Sequence, residues 1–235
     1  NDDGYIVTGE ATGNNNDNDI KEIKLDPVYG CTDPSSDNFN PSAGSDDGSC
    51  QNLIISNYYI GTRISGGGPY NHYLELFNVS DTPIDLSVYA LIKGHGQSNA
   101  EGFGWGNILA NSGNSFHRLS GILQPNQKYG ITRDVADGSL YGHSDLILED
   151  ENVLSNSGDD AIGLFWGPGA NAQEVLIYCD SIPIDAVGSP YEDPGSSWQV
   201  SGQTGPINST GTMGYGVTRF AILQRKPYVS RGNSG

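Results

Sequence analysis

Short stretches of alternating apolar and polar residues dominate the chain from Leu53 onward. The segment YLELFN at residues 73–78 has the two-residue period of a strand with one buried face. The same kind of pattern predicts strands within residues 53–59, 84–92, 128–132, 161–165, 174–179, 183–187 and 218–225. No stretch keeps the 3.6-residue spacing of an amphipathic helix for more than about two turns. The pattern therefore predicts roughly seven to nine strands and an all-β fold of the two-sheet sandwich type.

Composition and charge narrow the class of protein further. The 235 residues include 33 Gly and 13 Tyr but only 1 Met, which favours short strands and tight turns over packed helices. The formal net charge of −17 argues against nucleic-acid phosphate as a ligand. No run approaches the roughly 18 apolar residues of a membrane span, so membrane contact would require an anchor.

The amino-terminal part carries a large share of this charge. Residues 1–52 hold 11 acidic and 2 basic residues, and the first of them contain few apolar groups to offset the entropy of ordering. We therefore predict a flexible acidic tether over residues 1–28. An acidic, Asn-rich tether of this kind resembles the start of mature surface lipoproteins of the Bacteroidota. That resemblance implies a lipidated Cys just before Asn1 and an extracellular or outer-membrane location.

Residues 29–50 form the most regular segment, in which Cys31 and Cys50 enclose Asp, Asn, Pro, Gly and a single aromatic residue. A loop with so little apolar mass cannot hold itself together. A Cys31–Cys50 disulfide would stabilise it by roughly 3 kcal/mol through the unfolded state. Such a bond implies an oxidising, extracytoplasmic compartment.

The same segment is similar to Cys-bracketed acidic modules of secreted Bacteroidota proteins, which resemble thrombospondin type 3 repeats. The resemblance implies hard oxygen ligands for Ca²⁺ at Asp33, Asp37, Asp46 and Asp47. The full D-x-D-x-D-G spacing is lacking, so Asx-turns in a disulfide-closed spacer are the alternative interpretation.

Six blocks in order across residues 53–233 carry a more specific resemblance. They are LIISNYY, NHYLELFNVSDTPIDLSVYALI, LSGILQPNQKYGI, NSGDDAIGLFWGP, PIDAVGSPYEDPGSSW and LQRKPYVSRGN. Together they are similar to the bacterial lamin tail domain, which is an immunoglobulin-like β-sandwich. The resemblance implies such a sandwich over residues 53–235 and a binding or structural role without catalysis.

The sequence departs from that family in two places. It stops at Gly235, soon after the Arg-x-x-Gly-Asn element, so we expect either a missing edge strand, open to strand addition by a partner, or a chain that continues further. A Gly- and Asn-rich insertion at residues 93–118 carries Phe103, Trp105 and Phe116. Exposed aromatic residues on a polar loop favour contact with carbohydrate or protein. A small core that pins the loop is the alternative.

No set of residues has a known catalytic spacing. The four His are scattered, and the segment GHSDL at residues 142–146 has Leu where a nucleophile elbow needs Gly. Adjacent carboxylates such as Asp159 and Asp160 are typical of solvated turns, with Ca²⁺ binding as the alternative. The sequence therefore predicts a protein that is not an enzyme.

Two residues between 174 and 183 remain as candidates for other chemistry. We expect Cys179 to pack in a strand as a small apolar residue. Ser181, in Asp180-Ser181-Ile182, matches a short O-glycosylation pattern described for the Bacteroidota.

Taken together, these features predict a non-catalytic extracellular or cell-surface module that contacts a protein partner or an outer-membrane complex, with a glycan as a further candidate ligand. It requires no cofactor, Ca²⁺ being the one candidate, and it reaches a membrane only through a lipid anchor. Two alternatives are the accessory domain of an extracellular nuclease or other hydrolase, and a lipoprotein subunit of an outer-membrane transport or assembly complex.

Overall fold

The computed structural model of the chain describes most of its residues. The described residues are 5–12, 18–25, 28–32, 36, 40–46, 50, 52–63, 70–94, 105, 115–149, 153–155, 160–191, 198, 222–227, 229 and 232. They divide into two compact units, Asn1–Gln51 and Asn52–Gly235.

Among its described residues, the first unit contains two small ladders and one disulfide. Strands β1 (Tyr5–Thr12) and β2 (Asn18–Leu25) pair antiparallel, and β3 (Tyr29–Gly30) pairs parallel with β4 (Ser45–Asp46). The backbone of the predicted tether thus includes a hairpin, in which the register places Val7 opposite Ile23. The predicted Cys31–Cys50 disulfide is confirmed, and both cysteines are buried.

The second unit is built from two sheets of short strands, which confirms the prediction of a predominantly β fold. The five-stranded sheet has the order β12-β11-β6-β5-β15, and the four-stranded sheet has the order β14-β13-β8-β9. The strands of the first sheet are β5 (Leu53–Arg63), β6 (Tyr70–Asn78), β11 (Lys128–Arg133), β12 (Leu146–Leu148) and β15 (Ile222–Gln224). Those of the second are β8 (Tyr89–Gly94), β9 (Phe116–Arg118), β13 (Ala161–Trp166) and β14 (Asp185–Val187). A separate two-residue ladder joins β7 (Ile84–Asp85) to β10 (Ile122–Leu123).

The two sheets share one hydrophobic core. From the five-stranded sheet it contains Tyr58, Leu74, Leu76 and Ile131, and from the four-stranded sheet Tyr89, Leu91, Ile162 and Leu164. Alternate residues of each strand enter this core because successive side chains of a strand point to opposite faces. The two-residue period of the sequence therefore reflects the burial of alternate residues in this core.

A second apolar cluster covers the opposite face of the four-stranded sheet. The intervening residues of β8 and β13, among them Ile92 and Phe165, pack there against Trp105 and against helix α2 (Ala172–Tyr178). Strands β8 and β13 are thus buried on both faces, which explains why their sequences are nearly continuous apolar runs.

The structure corrects two element predictions. Residues 174–179 were predicted to be a strand, but they lie mainly in α2, and the other α-helix among the described residues is the short α1 (Gly138–Tyr141). The predicted strand at 84–92 is split by a 3₁₀ turn at Leu86–Val88, because the Asp85 carboxylate accepts a hydrogen bond from the Ser87 N–H and starts the turn. Of residues 218–225, the described strand comprises Ile222–Gln224.

Candidate functional site

Exposed apolar side chains are concentrated at the end of α2. Ile177 is 70% exposed, Tyr178 51% and Ile182 57%, and all three lie within six residues. We call these three side chains the α2 surface. Other exposed large apolar residues among those described are more dispersed along the chain: Val28, Tyr29, Ile122, Val135, Ile147, Tyr191 and Ile222. Single exposed apolar residues are ordinary, whereas a contiguous group is a candidate contact site.

Helix α2 begins at a reciprocal capping arrangement. The Asn171 side-chain oxygen accepts a hydrogen bond from the Glu174 N–H at 3.1 Å. The Glu174 carboxylate in return accepts hydrogen bonds from the Ala170 N–H at 2.7 Å and from the Asn171 amide at 2.8 Å. The first of these bonds satisfies a backbone donor that a helix start leaves without an intrahelical partner, and the other two fix the chain that enters the helix. They stabilise a seven-residue helix that would be too short to persist alone.

The buried side of α2 follows helical spacing. Ala172, Val175 and Leu176 are buried in the outer cluster, at positions i, i+3 and i+4. Packing of these three residues leaves Ile177 and Tyr178 on the exposed side of the helix. The exposure of the α2 surface is therefore a consequence of how the helix docks.

The helix ends in a left-handed turn that keeps Ile182 close to the last helical residues. Asp180 and Ser181 have φ angles of 52° and 60°, a conformation uncommon for residues other than Gly. The Ser181 N–H donates to the Leu176 carbonyl at 2.7 Å and the Ile182 N–H to the Cys179 carbonyl at 2.9 Å. The first of these is the long-range bond of a Schellman motif, with Asp180 where Gly is usual.

One side of the Tyr178 ring packs against Trp166 and Gly167, which precede α2. The ring centroids of Tyr178 and Trp166 are 5.2 Å apart. Gly167 has a φ of 141°, and a Cβ there would lie 2.5 Å from the Tyr178 ring. The Arg118 guanidinium donates to the Gly167 carbonyl at 2.8 Å and also to the Gly169 carbonyl. Tyr178 is thus positioned on a rigid base although half of it is exposed to solvent.

Of the aromatic residues of the insertion, the structure describes Trp105 and Phe116. Trp105 is buried and packs edge-on against Phe165, with 5.1 Å between the ring centroids. Phe116 is half-buried against the same cluster, and Phe103 lies outside the described residues. Burial removes Trp105 from the candidate contact surface and places it in the small core that was the alternative interpretation.

Cys179 and Ser181 both lie at the end of α2. Cys179 follows the last helical residue and is half-buried, so its predicted place in a strand is wrong. Burial raises the pKa of its thiol, which favours the protonated form at neutral pH. Ser181 is half-buried in the left-handed turn, beside exposed Asp180 and Ile182. Its modification stays a prediction.

The predicted Ca²⁺ ligands fall largely outside the described part of the chain. Asp33, Asp37 and Asp47 lie outside the described residues, and of Asp46 only the backbone, in β4, is described. Among the residues that are described, no three His, Cys, Asp or Glu side chains are grouped as a metal site would require. Ca²⁺ binding by the disulfide loop therefore stays a prediction.

A group of buried basic side chains, in which His72 is neutral, occupies the interior of the second unit. His72 is 1% exposed, and its Nδ1 lies 2.5 Å from the Leu154 carbonyl oxygen. The Lys93 ammonium donates to the Ser155 carbonyl at 2.8 Å and lies 3.7 Å from the Asp160 carboxylate. Burial, aided by the charges of Arg133 and Lys93, lowers the pKa of His72 to about 4. These contacts tie the segment 153–155 to the sheets.

A polar cluster lies around Glu75 on the five-stranded sheet. Its carboxylate accepts hydrogen bonds from Ser56 at 2.7 Å and from Asn57, and lies 3.0 Å from the Lys128 ammonium. Burial raises the pKa of Glu75, but these hydrogen bonds outweigh it and hold the pKa below its usual value. Burial and the Glu75 charge raise the pKa of neighbouring Tyr73 to about 12. Glu75 is thus an ionised group engaged by structural partners.

Comparison with known proteins adds no identification. No model of a protein family matches the chain, and no curated protein matches it. Neither α-helix of the described part is long and apolar enough to cross a membrane.

Sequence reasoning missed the α2 surface because it assigned residues 174–179 to a strand. A signal for the helix was present, since Asn171 and Glu174 have the N-x-x-E spacing of a capping box. The β-branched and aromatic residues of VLIY favoured a strand instead. The exposure of Ile177 and Tyr178 follows from the helix and was not predicted.

Proposed function

We propose that this protein is a non-catalytic extracellular or cell-surface module that acts by contact with another protein, through the α2 surface. The observation that carries the proposal is the group of three exposed apolar side chains on a rigidly supported helix end. Tyr178 and two Ile residues offer a large apolar area at low entropic cost, because the capped helix and its Schellman turn are already ordered.

The architecture and the compartment form part of the same proposal. The two facing sheets with a shared core support an immunoglobulin-like sandwich related to the bacterial lamin tail domain. The Cys31–Cys50 disulfide supports an oxidising compartment outside the cytoplasm. A lipid anchor preceding Asn1 would hold the module at the outer-membrane surface.

The contact role is supported by the way buried charges are used in the described residues. Glu75 and Lys93 each have structural partners, and each would have to abandon those contacts to react with a substrate. Groups held in this way serve the stability of the fold. The three side chains of the α2 surface, by contrast, remain largely exposed, although one side of the Tyr178 ring packs against Trp166.

Site-specific photo-crosslinking on intact cells tests the proposal. A benzophenone amino acid replaces exposed Gln173, next to the α2 surface, and in a matched control replaces exposed Ile122 on β10. We expect illumination to give one discrete adduct with another protein from position 173 and none from position 122. Equal adducts from both positions, or none from either, would contradict the proposal. Protease treatment of intact and lysed cells, followed by blotting, checks the exterior location.

A further inference from the structure

The charge around the α2 surface restricts what can bind there. Between residues 134 and 218 the sequence has 13 Asp and Glu residues and no Lys or Arg. Within this run, Glu174 and Asp180 are exposed on the helix and on the turn that follows it. The α2 surface therefore combines an apolar centre with carboxylates, in a part of the chain that supplies no positive charge of its own.

Arg118, a cation that contacts the loop before α2, is already engaged. Arg118 lies on the neighbouring strand β9, where its guanidinium is half-buried and donates to the carbonyls of Gly167 and Gly169. It also stacks over the Phe116 ring, at 5.6 Å from the centroid. Held in this position, Arg118 supports the loop before α2, and among the described residues it pairs neither with Glu174, whose carboxylate caps the start of the helix, nor with Asp180.

Charge complementarity selects among the occupants that an apolar surface could accept. A second copy of this chain would place two acidic surfaces of the same kind against each other, because a two-fold interface pairs a patch with itself. Like charges across an interface cost several kcal/mol. An anionic lipid surface would be repelled for the same reason. A protein with apolar side chains flanked by Lys or Arg fits both features of the surface.

We infer that the α2 surface is a docking site for a basic, amphipathic protein segment, with its apolar residues against Ile177, Tyr178 and Ile182 and its Lys or Arg residues towards Glu174 and Asp180. This inference rests on the proposed function and specifies the chemistry of the partner. A surface of three large side chains is small, so the complex belongs to the transient class, with less than about 1,200 Å² buried. The carboxylates steer the partner, and the apolar centre holds it.

The experiment uses the full chain and defined peptides as probes. The first probe is an amphipathic helical peptide of about 18 residues with Leu on one face and Lys on the other. The second probe has Glu in place of Lys, and the third has the first composition in a scrambled order. Binding is measured by calorimetry, and the site is mapped by amide chemical shifts. We expect the Leu/Lys peptide alone to bind, to shift amides of residues 172–182, and to bind more weakly as salt is raised.

Matched variants decide whether the α2 surface is responsible. We expect the double variant Ile177→Ser/Ile182→Ser to weaken binding of the Leu/Lys peptide by about tenfold or more. Asp180→Lys should weaken it less, and mainly at low salt. Ile122→Ser, which removes an equally exposed apolar residue elsewhere, should leave binding unchanged. Unchanged circular dichroism spectra and melting temperatures show that each variant is folded.

Several outcomes would overturn the inference. Equal binding of the Leu/Glu peptide, shifts that map away from residues 172–182, or full binding by the double variant would each do so. Self-association in sedimentation experiments that the double variant abolishes would assign the surface to a second copy. Vesicle binding lost in the same variant would assign it to a membrane. The peptide results leave the protein adduct expected from position 173 on intact cells untouched, so a wrong partner chemistry is distinguishable from failure of the proposed function. Assignment of the surface to a second copy or to a membrane would contradict both.

Discussion

Arg225 and Asp185 form an ion pair that joins the two sheets of the second unit. Asp185 lies in β14 of the four-stranded sheet and is 0% exposed, and its other carboxylate oxygen accepts the Ile55 N–H of β5 at 2.7 Å. Arg225 follows β15 and donates through Nε to the Ile55 carbonyl at 2.8 Å. The N–H and the carbonyl of Ile55, in the five-stranded sheet, are thus both hydrogen-bonded to this ion pair. Asp185 belongs to the four-stranded sheet, so the ion pair connects the two sheets.

Asp185→Ala should destabilise the second unit by about 3 kcal/mol, because it leaves the Arg225 charge and the Ile55 N–H without their acceptor. The side chain of Arg225 is 24% exposed, so water will offset part of the loss. Urea denaturation of the full chain measures the change in the free energy of unfolding. The control is Asp180→Asn, an exposed site where we expect a change within about 0.5 kcal/mol. A loss in Asp185→Ala no larger than in the control would show that the pair does not stabilise the fold.

His72 should make stability depend on pH. Its pKa is about 4 in the folded protein and near the ordinary histidine value of 6.5 when unfolded, so between these values the unfolded chain binds more protons. The contribution of neutral His72 is therefore fully present above pH 6.5 and is lost as pH falls towards 4. The shift corresponds to about 3 kcal/mol at most.

The measurement is the free energy of unfolding from pH 7.5 to pH 4 for the wild type and for His72→Gln. We expect the wild type to lose more stability over this range than His72→Gln, because only the wild type carries this titration. His143→Gln removes an exposed histidine and should follow the wild type. Parallel curves for all three proteins would be incompatible with a buried neutral His72.

Gly130 and Gly142 provide a matched pair of glycine substitutions. A Cβ at Gly130 would lie 2.1 Å from the His143 carbonyl oxygen, a backbone atom, whereas a Cβ at Gly142 meets nothing within 4 Å. We expect Gly130→Ala to displace the backbone around His143 and to destabilise the protein by about 1–3 kcal/mol. Gly142→Ala should be neutral or stabilise by up to about 1 kcal/mol. Melting temperatures measure both, and equal shifts in the two variants would contradict the close packing over β11.

Removal of the disulfide should affect the first unit alone. Cys31→Ser/Cys50→Ser removes a constraint worth roughly 3 kcal/mol on residues 31–50, and we expect limited proteolysis within residues 29–50 to become faster. The melting of the second unit should not change, because its core contains neither cysteine. A lowered melting temperature of the second unit in this variant would show that the units are energetically coupled.

Much of the fold could be predicted from local pattern, and the errors have identifiable causes. The strand around YLELFN was recognised because its alternation reflects burial on one face. The short strands Phe116–Arg118, Ile122–Leu123 and Leu146–Leu148 were not predicted, because two or three residues carry too little periodicity. Residues 174–179 were misassigned because β-branched residues outweighed the capping signal at Asn171.

The candidate site was less predictable than the fold. For Trp105 the sequence left open both a contact surface and a small core, and its burial depends on Phe165, which is 60 residues away. Ile177 and Tyr178 were predicted to be strand residues. Their exposure depends on which side of α2 packs against the four-stranded sheet. In both cases the deciding contact is with an element distant along the chain.

The sequence by itself determined a predominantly β protein with a disulfide-closed acidic loop, because alternation and cysteine spacing are local properties that survive in any arrangement of the strands. Only the tertiary structure decided that Asp185 pairs with Arg225, that Trp105 is buried and that the apolar side chains at the end of α2 are exposed. These outcomes depend on which distant surfaces pack together, and burial between distant segments has no local signature in the chain.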